Sequence, residues 1–252
     1  MTEQQAWFQR WFNSPYYHLL YDHRNEEEAK GFMDALLQWL PLPEIDAKVL
    51  DLACGKGRHA AHLARSGLNV WGLDIAEESI AAAKKQYPLP GLQFAVHDMR
   101  KPLPFPPHQF DAVFNLFTSF GYFQTEEEHL ATLKNIKQVL KPTGYFVLDF
   151  LHAEKVLREL TPEETIEKQG IIFFIRRWVD SSGYINKNIR FTPPGEQKEL
   201  EFTERVRAYR KADFEVLFGK AGLQIEQIFG NYQLAPYQVE TSDRMILICR
   251  TT

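Results

Sequence analysis

The stretch from Lys48 to Ile75, KVLDLACGKGRHAAHLARSGLNVWGLDI, constrains the fold more tightly than any other part of the chain. Val49 to Ala53 is a short apolar run with no polar alternation, as suits a parallel strand covered on both faces. Gly55 and Gly57 break that run, and apolar residues return at helical spacing (Ala60, Ala61, Leu63, Ala64) until Gly67 ends the helix. A second apolar run, Leu68 to Leu73, finishes on Asp74, 17 residues after Gly57, at the tip of the next strand of a βαβ unit. Glycines let a ligand approach the backbone, the N–H groups of the turn donate to it, and a carboxylate at that tip accepts from both hydroxyls of a ribose. The pattern points to a nucleoside-bearing cofactor, with a ligand-free glycine turn of an ordinary α/β fold as the plainer alternative.

The frame Asp51-Leu52-Ala53-Cys54-Gly55-Lys56-Gly57 departs from the G-x-G-x-x-G dinucleotide fingerprint, having an acidic residue at the strand end and two glycines. It resembles motif I of the class I S-adenosylmethionine-dependent methyltransferases, with Ala53 where many members have glycine. Leu92 to Val96 is a third strand, and the Asp98 and Met99 that follow match the family positions that meet the adenine amino group and a ring nitrogen. Phe110-Asp111-Ala112-Val113-Phe114-Asn115-Leu116-Phe117 resembles motif IV, and the run on through Ser119-Phe120-Gly121-Tyr122-Phe123 is similar to small-molecule N-methyltransferases, including those acting on amino sugars. The resemblance implies an α/β Rossmann-like seven-stranded sheet, parallel with one antiparallel strand, that binds S-adenosylmethionine and yields S-adenosylhomocysteine. It implies a cofactor site of Tyr17, Arg24, Asp51, Ala53, Cys54, Gly55, Gly57, Arg58, Asp74, Ile75, Asp98, Met99, Asn115 and Leu116, with Asp51 near the cationic amino-acid end.

Composition is compatible with this. A chain of 252 residues with 44% hydrophobic content can bury a sizeable core. Its net charge of −4 gives no general attraction to phosphate backbones, which argues against a nucleic-acid substrate. Cys54 and Cys249 both fall in expected strands and read as buried thiols in a reducing cytoplasm. No apolar run reaches membrane-spanning length, and no metal constellation with ligand spacing stands out.

Residues 1–44 precede the nucleotide fold and are rich in aromatics. Trp7, Phe8, Trp11 and Phe12 suit a helix packed on the sheet, while Tyr16, Tyr17, Tyr21 and Arg24 suit a lid over the cofactor, as N-terminal segments of the resembled family often form. Asn25 is a candidate cap, with Glu28 as its box partner, for a helix from Glu26 to Leu40 that Pro41 and Pro43 end. After Asp74 come a helix from Ala76 to Gln86, a helix from Glu126 to Leu140 capped by Thr125, and a strand from Tyr145 to Phe150 after the Lys141-Pro142-Thr143-Gly144 turn. Asn115, Tyr122 and His152 are candidate catalytic groups: the first two can orient an acceptor, and a histidine beyond the fifth strand can take a proton, unless it is a structural one. Tyr21, Thr118, Ser119, Tyr122 and His152 form the expected acceptor site.

Three β-rich runs, Ile171 to Val179, Tyr184 to Phe191 and Glu199 to Ala208, are separated by glycine and proline turns. They predict an inserted antiparallel meander within 153–210, substrate-selecting or dimer-forming, whose charges Arg176, Lys187, Arg190, Glu204 and Arg207 mark a solvated or partner-facing side. The methyltransferase core, 45–152, resumes at 211 with a helix from Lys211 to Ala221 and a closing hairpin. Methyl transfer by in-line displacement to nitrogen or oxygen of a small molecule is the expected activity. An RNA or protein methyltransferase, a nicotinamide oxidoreductase and a non-catalytic cofactor-binding module are the rivals.

Overall fold

The computed structural model describes residues 7–21 and 26–252. Arg24 and the Asn25–Glu28 capping box lie outside what is described. Three N-terminal helices, α1 (Trp7–Phe12), α2 (Pro15–Leu20) and α3 (Glu26–Trp39), lead into an alternation of β1 (Lys48–Leu52), α4 (Arg58–Arg65), β2 (Asn69–Asp74), α5 (Glu77–Gln86), β3 (Leu92–Val96) and β4 (Phe110–Asn115). Then follow α6 (Glu126–Val139), β5 (Leu140–Leu151), α7 (Ala153–Arg158), the strands β6 (Glu163–Lys168), β7 (Ile171–Val179), β8 (Tyr184–Phe191) and β9 (Leu200–Arg207), and finally α8 (Lys211–Ala221), β10 (Leu223–Phe229) and β11 (Arg244–Thr251).

The main sheet has seven strands in the order β10-β11-β5-β4-β1-β2-β3, and β11 alone runs antiparallel to its neighbours. The order reverses between β1 and β4, so the loops at the carboxyl ends of these strands border a crevice suited to a ligand. One face is covered by α3, α4 and α5, whose Leu36, Leu63 and Ile80 share a core with Val49 and Val70. On the other face, Leu133 and Ile136 of α6 and Phe214 and Phe218 of α8 pack with Leu50, Phe146 and Leu247. Burial of such side chains on both faces is what the unbroken apolar strands require.

Local chemistry sets the joints. Gly57 caps α4 at a φ of +80°, and a Cβ there would lie 2.5 Å from the Phe94 ring, so only glycine lets α4 start this close to β3. Thr125 and Glu128 form a reciprocal capping box at the start of α6, and Gly222 ends α8 in the left-handed region.

The structure differs from expectation in four places. Cys54 sits in the turn after β1 instead of a strand, and Cys249 is in β11. β5 begins already at Leu140, because Phe110 pairs with Leu140 and Ala112 with Tyr145, so Lys141–Gly144 form a bulge within the strand. The second sheet has four strands in the order β6-β7-β8-β9; β6, Glu-Glu-Thr-Ile-Glu-Lys, is too polar to announce itself and forms by pairing with β7. The N-terminal aromatics divide between the two sheets: buried Trp11 shares a third core with Phe173, Ile189 and Phe191 of the second sheet, while Trp7 and Phe12 also meet Tyr122 in the loop after β4 and Phe8 lies under Arg100 after β3.

Candidate active site

A cavity of about 290 Å³ opens where the carboxyl ends of β1 to β4 meet the N-terminal helices and β9. Its floor is the turn after β1. Ala53 adopts a φ of +65°, a left-handed conformation that costs a non-glycine residue about 1–2 kcal/mol, and Ala53 and Cys54 both donate their N–H to the Leu73 carbonyl. The replacement of glycine at this position is therefore a strained choice and not a neutral one. Asp74 lines the cavity and locks the turn, accepting from Gly55 N at 2.7 Å and Ala76 N at 2.8 Å. The carboxylate keeps acceptor capacity for a ligand beyond these backbone donors.

Asp51 is buried behind the turn, and its Oδ2 has no hydrogen-bond partner. Burial, reinforced by the neighbouring Asp74 charge, pushes its carboxyl up to about 7. An unsatisfied buried carboxylate oxygen at the glycine turn is the feature a cationic group would complete. At the tip of β3, Asp98 and Met99 line the cavity. Burial alone would raise the Asp98 carboxyl, but Arg100, which donates through Nε at 3.0 Å and Nη2 at 2.7 Å, holds it below the usual carboxylate range.

The opposite wall is aromatic: Phe8, Phe12, Tyr17, Tyr21, Phe117, Tyr122 and Phe123 all border the cavity. Phe117 and Thr118 have φ of +62° and +57°, and Asp149 fixes both, accepting from Phe117 N through Oδ2 at 2.8 Å and from Thr118 N through its backbone carbonyl at 2.9 Å. Arg244, on β11, donates to Asp149 and, at 2.8 Å, to the Thr118 hydroxyl.

The expected residues divide into groups. Ala53, Gly55, Asp74, Ile75, Asp98, Met99, Tyr17, Tyr21, Thr118, Ser119 and Tyr122 line the cavity. Cys54, Arg58 and Leu116 line an adjoining recess that shares Tyr17, Tyr21 and Gly55 with it. Two candidate catalytic groups do not reach the cavity wall. Asn115 is buried and ties β4 to β1 by donating to the Leu52 carbonyl at 2.9 Å. His152 is wholly buried before α7, donates through Nδ1 to the Ser242 carbonyl at 2.8 Å and stacks edge-on against Tyr237, which is the structural alternative for this histidine.

Sequence reasoning missed His18, Glu204, Val206 and Arg244 in the cavity wall. His18 follows Tyr17 and precedes Tyr21 on one helical face, a spacing that could have found it. Burial, with a contribution from Lys56, lowers its imidazole to about 4, so it is neutral at physiological pH. Glu204 was expected on a solvated or partner-facing side; it instead faces inward, accepting from Trp11 Nε1 at 2.6 Å and from the Tyr21 hydroxyl at 2.8 Å. The alternation Phe202-x-Glu204-x-Val206, whose last member is buried, carried that signal. Among the described residues no group of three or more His, Cys, Asp and Glu side chains is placed to hold a metal ion, and no helix is long and apolar enough to cross a membrane.

Residues 49–144 match the model of a methyltransferase domain family. The chain is 28% identical over 207 residues to the candidate methyltransferase YqeM of Bacillus subtilis (strain 168), covering 79% of this chain and 83% of that one. It is 26% identical over 221 residues to the dTDP-3-amino-3,4,6-trideoxy-alpha-D-glucopyranose N,N-dimethyltransferase of Streptomyces venezuelae, covering 85% and 91%. Among solved structures, an S-adenosylmethionine-dependent methyltransferase from Clostridium acetobutylicum superposes with a TM-score of 0.78 at 19% identity, covering 94% of this chain and 96% of that chain.

Proposed function

We propose that the chain is a class I S-adenosylmethionine-dependent methyltransferase, as its methyltransferase-domain match and its relatives support, and that it methylates a nitrogen or oxygen nucleophile of a small-molecule acceptor, with amino sugars the class that its Streptomyces relative suggests. The observation that carries the cofactor half is the unpartnered, buried Asp51 Oδ2 beside a glycine turn whose Asp74 borders the cavity. These residues fit S-adenosylmethionine: Asp51 meets its ammonium, Asp74 its ribose hydroxyls, Asp98 its adenine amino group and the Met99 N–H a ring nitrogen. When bound, the cofactor supplies an electrophilic methyl group on a sulfonium. The protein orients the acceptor against it and excludes water, and both tasks fall to the aromatic wall. Residues 7–21 act as the lid, because Phe8, Phe12, Tyr17 and Tyr21 close one side of the cavity. The second sheet selects the acceptor, or also joins two copies of the chain. The two buried free thiols accord with a cytoplasmic enzyme, and a nucleic-acid acceptor is not part of this reading.

Isothermal titration of the protein with S-adenosylmethionine, S-adenosylhomocysteine and reduced nicotinamides tests the reading. Micromolar affinity for the first two alone, about −8 kcal/mol, is expected. Binding of a nicotinamide nucleotide in their place would overturn it.

A further inference from the structure

We infer that the acceptor's nucleophile is an uncharged amine nitrogen and that Glu204, projecting from the second sheet, is the residue that selects it; this rests on the methyltransferase reading above. Among the described residues Glu204 is the one carboxylate that the second sheet contributes to the cavity wall. The other two acidic wall residues, Asp74 and Asp98, stand at the tips of β2 and β3, on the cofactor side. A row of rings leads to Glu204: Tyr122 lies 5.6 Å from Phe12, Phe12 lies 5.1 Å from Tyr17, Tyr17 lies 5.0 Å from Tyr21, and the Tyr21 hydroxyl donates to the carboxylate. Aromatic faces ending on a carboxylate favour a group that carries, or acquires, positive charge.

Glu204 has a close basic neighbour. Lys187 stands opposite it in the β8–β9 register and donates to the Tyr21 hydroxyl at 2.8 Å, with its ammonium 4.6 Å from the ring centre, but it is not among the residues that border the cavity. Arg244 is committed to Asp149 at 2.7 Å. His18 is neutral. The two donors on Glu204, Trp11 Nε1 and the Tyr21 hydroxyl, hold the carboxylate in place and leave lone pairs for a further N–H.

Charge flow favours an amine over an alcohol. As the nitrogen lone pair forms the N–CH3 bond, the C–S bond breaks with its electron pair going to sulfur, and the positive charge moves onto nitrogen, which keeps its hydrogens and donates one to Glu204. From the uncharged amine no base is required before the new bond forms; an amine that arrives as an ammonium first releases its proton to solvent. An alcohol has to give up its proton as it attacks. His18 is too weak a base for that step, and His152 lies outside the cavity wall.

The test uses the full chain saturated with S-adenosylhomocysteine, titrated calorimetrically with choline and with its uncharged isostere 3,3-dimethyl-1-butanol. Choline, which mimics a methylated cationic nitrogen, is expected to bind at least about tenfold more tightly than the isostere. Glu204→Gln, which keeps an oxygen for Trp11, is expected to lose that preference while S-adenosylhomocysteine affinity stays unchanged. Equal binding of the two probes by the wild-type chain, or an undiminished preference in Glu204→Gln, would overturn the inference. A chain that prefers choline but binds no S-adenosylhomocysteine would overturn the methyltransferase reading and leave the cationic subsite standing.

Discussion

Arg244 reaches from the first residue of β11 to the Asp149 carboxylate at 2.7 Å, and this pair holds the strained Phe117–Thr118 loop against the cavity. Asp149 is fully buried and also accepts from the Tyr232 hydroxyl at 3.2 Å. Asp149→Ala would remove the charged partner of a mostly buried guanidinium and one acceptor each from the Phe117 N–H and the Tyr232 hydroxyl. The expected cost is on the order of 3 kcal/mol, read by urea denaturation. A loss below 1 kcal/mol would mean that the pair is not what fixes the loop.

Asp74 has two duties, since it accepts the Gly55 and Ala76 N–H groups and borders the cavity. Asp74→Ala is expected to raise the Kd of S-adenosylhomocysteine more than about 100-fold and to lower stability by about 1–3 kcal/mol for each N–H left unpaired. Titration below the melting transition separates the two effects. Wild-type affinity in a folded variant would exclude Asp74 as the ribose ligand.

Stability near neutral pH reports on Asp51. Its carboxyl ordinarily titrates near 3.8 and is pushed up to about 7 by burial and by Asp74. Between those values the folded chain keeps a proton that the unfolded chain has released, so this group makes stability fall as pH rises from about 4 to 7. A bound ammonium favours the ionised form, so affinity for S-adenosylmethionine is expected to rise as pH passes through 7. Melting curves of Asp51→Asn against wild type from pH 4 to 8 isolate the contribution; parallel profiles would contradict it.

Ala53→Gly is expected to stabilise the protein. Glycine relieves a left-handed strain of about 1–2 kcal/mol and adds about 0.4–1 kcal/mol of unfolded-chain entropy, for a net gain of roughly 0.5–1 kcal/mol. Differential scanning calorimetry would detect it as a higher Tm, and an unchanged or lower Tm would show that the turn is not strained at this position.

Features with a local physical cause were legible in the sequence. The run from β1 to β2, the Thr125 cap and the Gly222 stop each depend on residues within a turn or two of one another, and they stand where the sequence places them. β6 was hidden because its six residues show neither alternation nor an apolar run, and its strand conformation comes from pairing with β7. The floor of the cavity was legible because one contiguous stretch supplies the turn after β1 and Asp74, both of which border it. Glu204, Arg244 and the Asp149 network were not, because their partners lie 32 to 193 residues away and the sheet registers decide which face each side chain takes. His152 and Asn115 illustrate the reverse: polar residues at strand ends near a site whose hydrogen bonds are spent on backbone carbonyls.

The third core, in which Trp11 packs with Phe173, Ile189 and Phe191, shares none of its buried residues with the two cores of the main sheet. Substitutions of the third-core residues on β7, β8 and the first two helices can therefore reshape one wall of the cavity with the main cores left packed, whereas Ile185 of β8 and Val206 of β9 belong to the core under the main sheet. The packing of that wall and the packing beneath the turn after β1 are thus separate problems for the chain to solve.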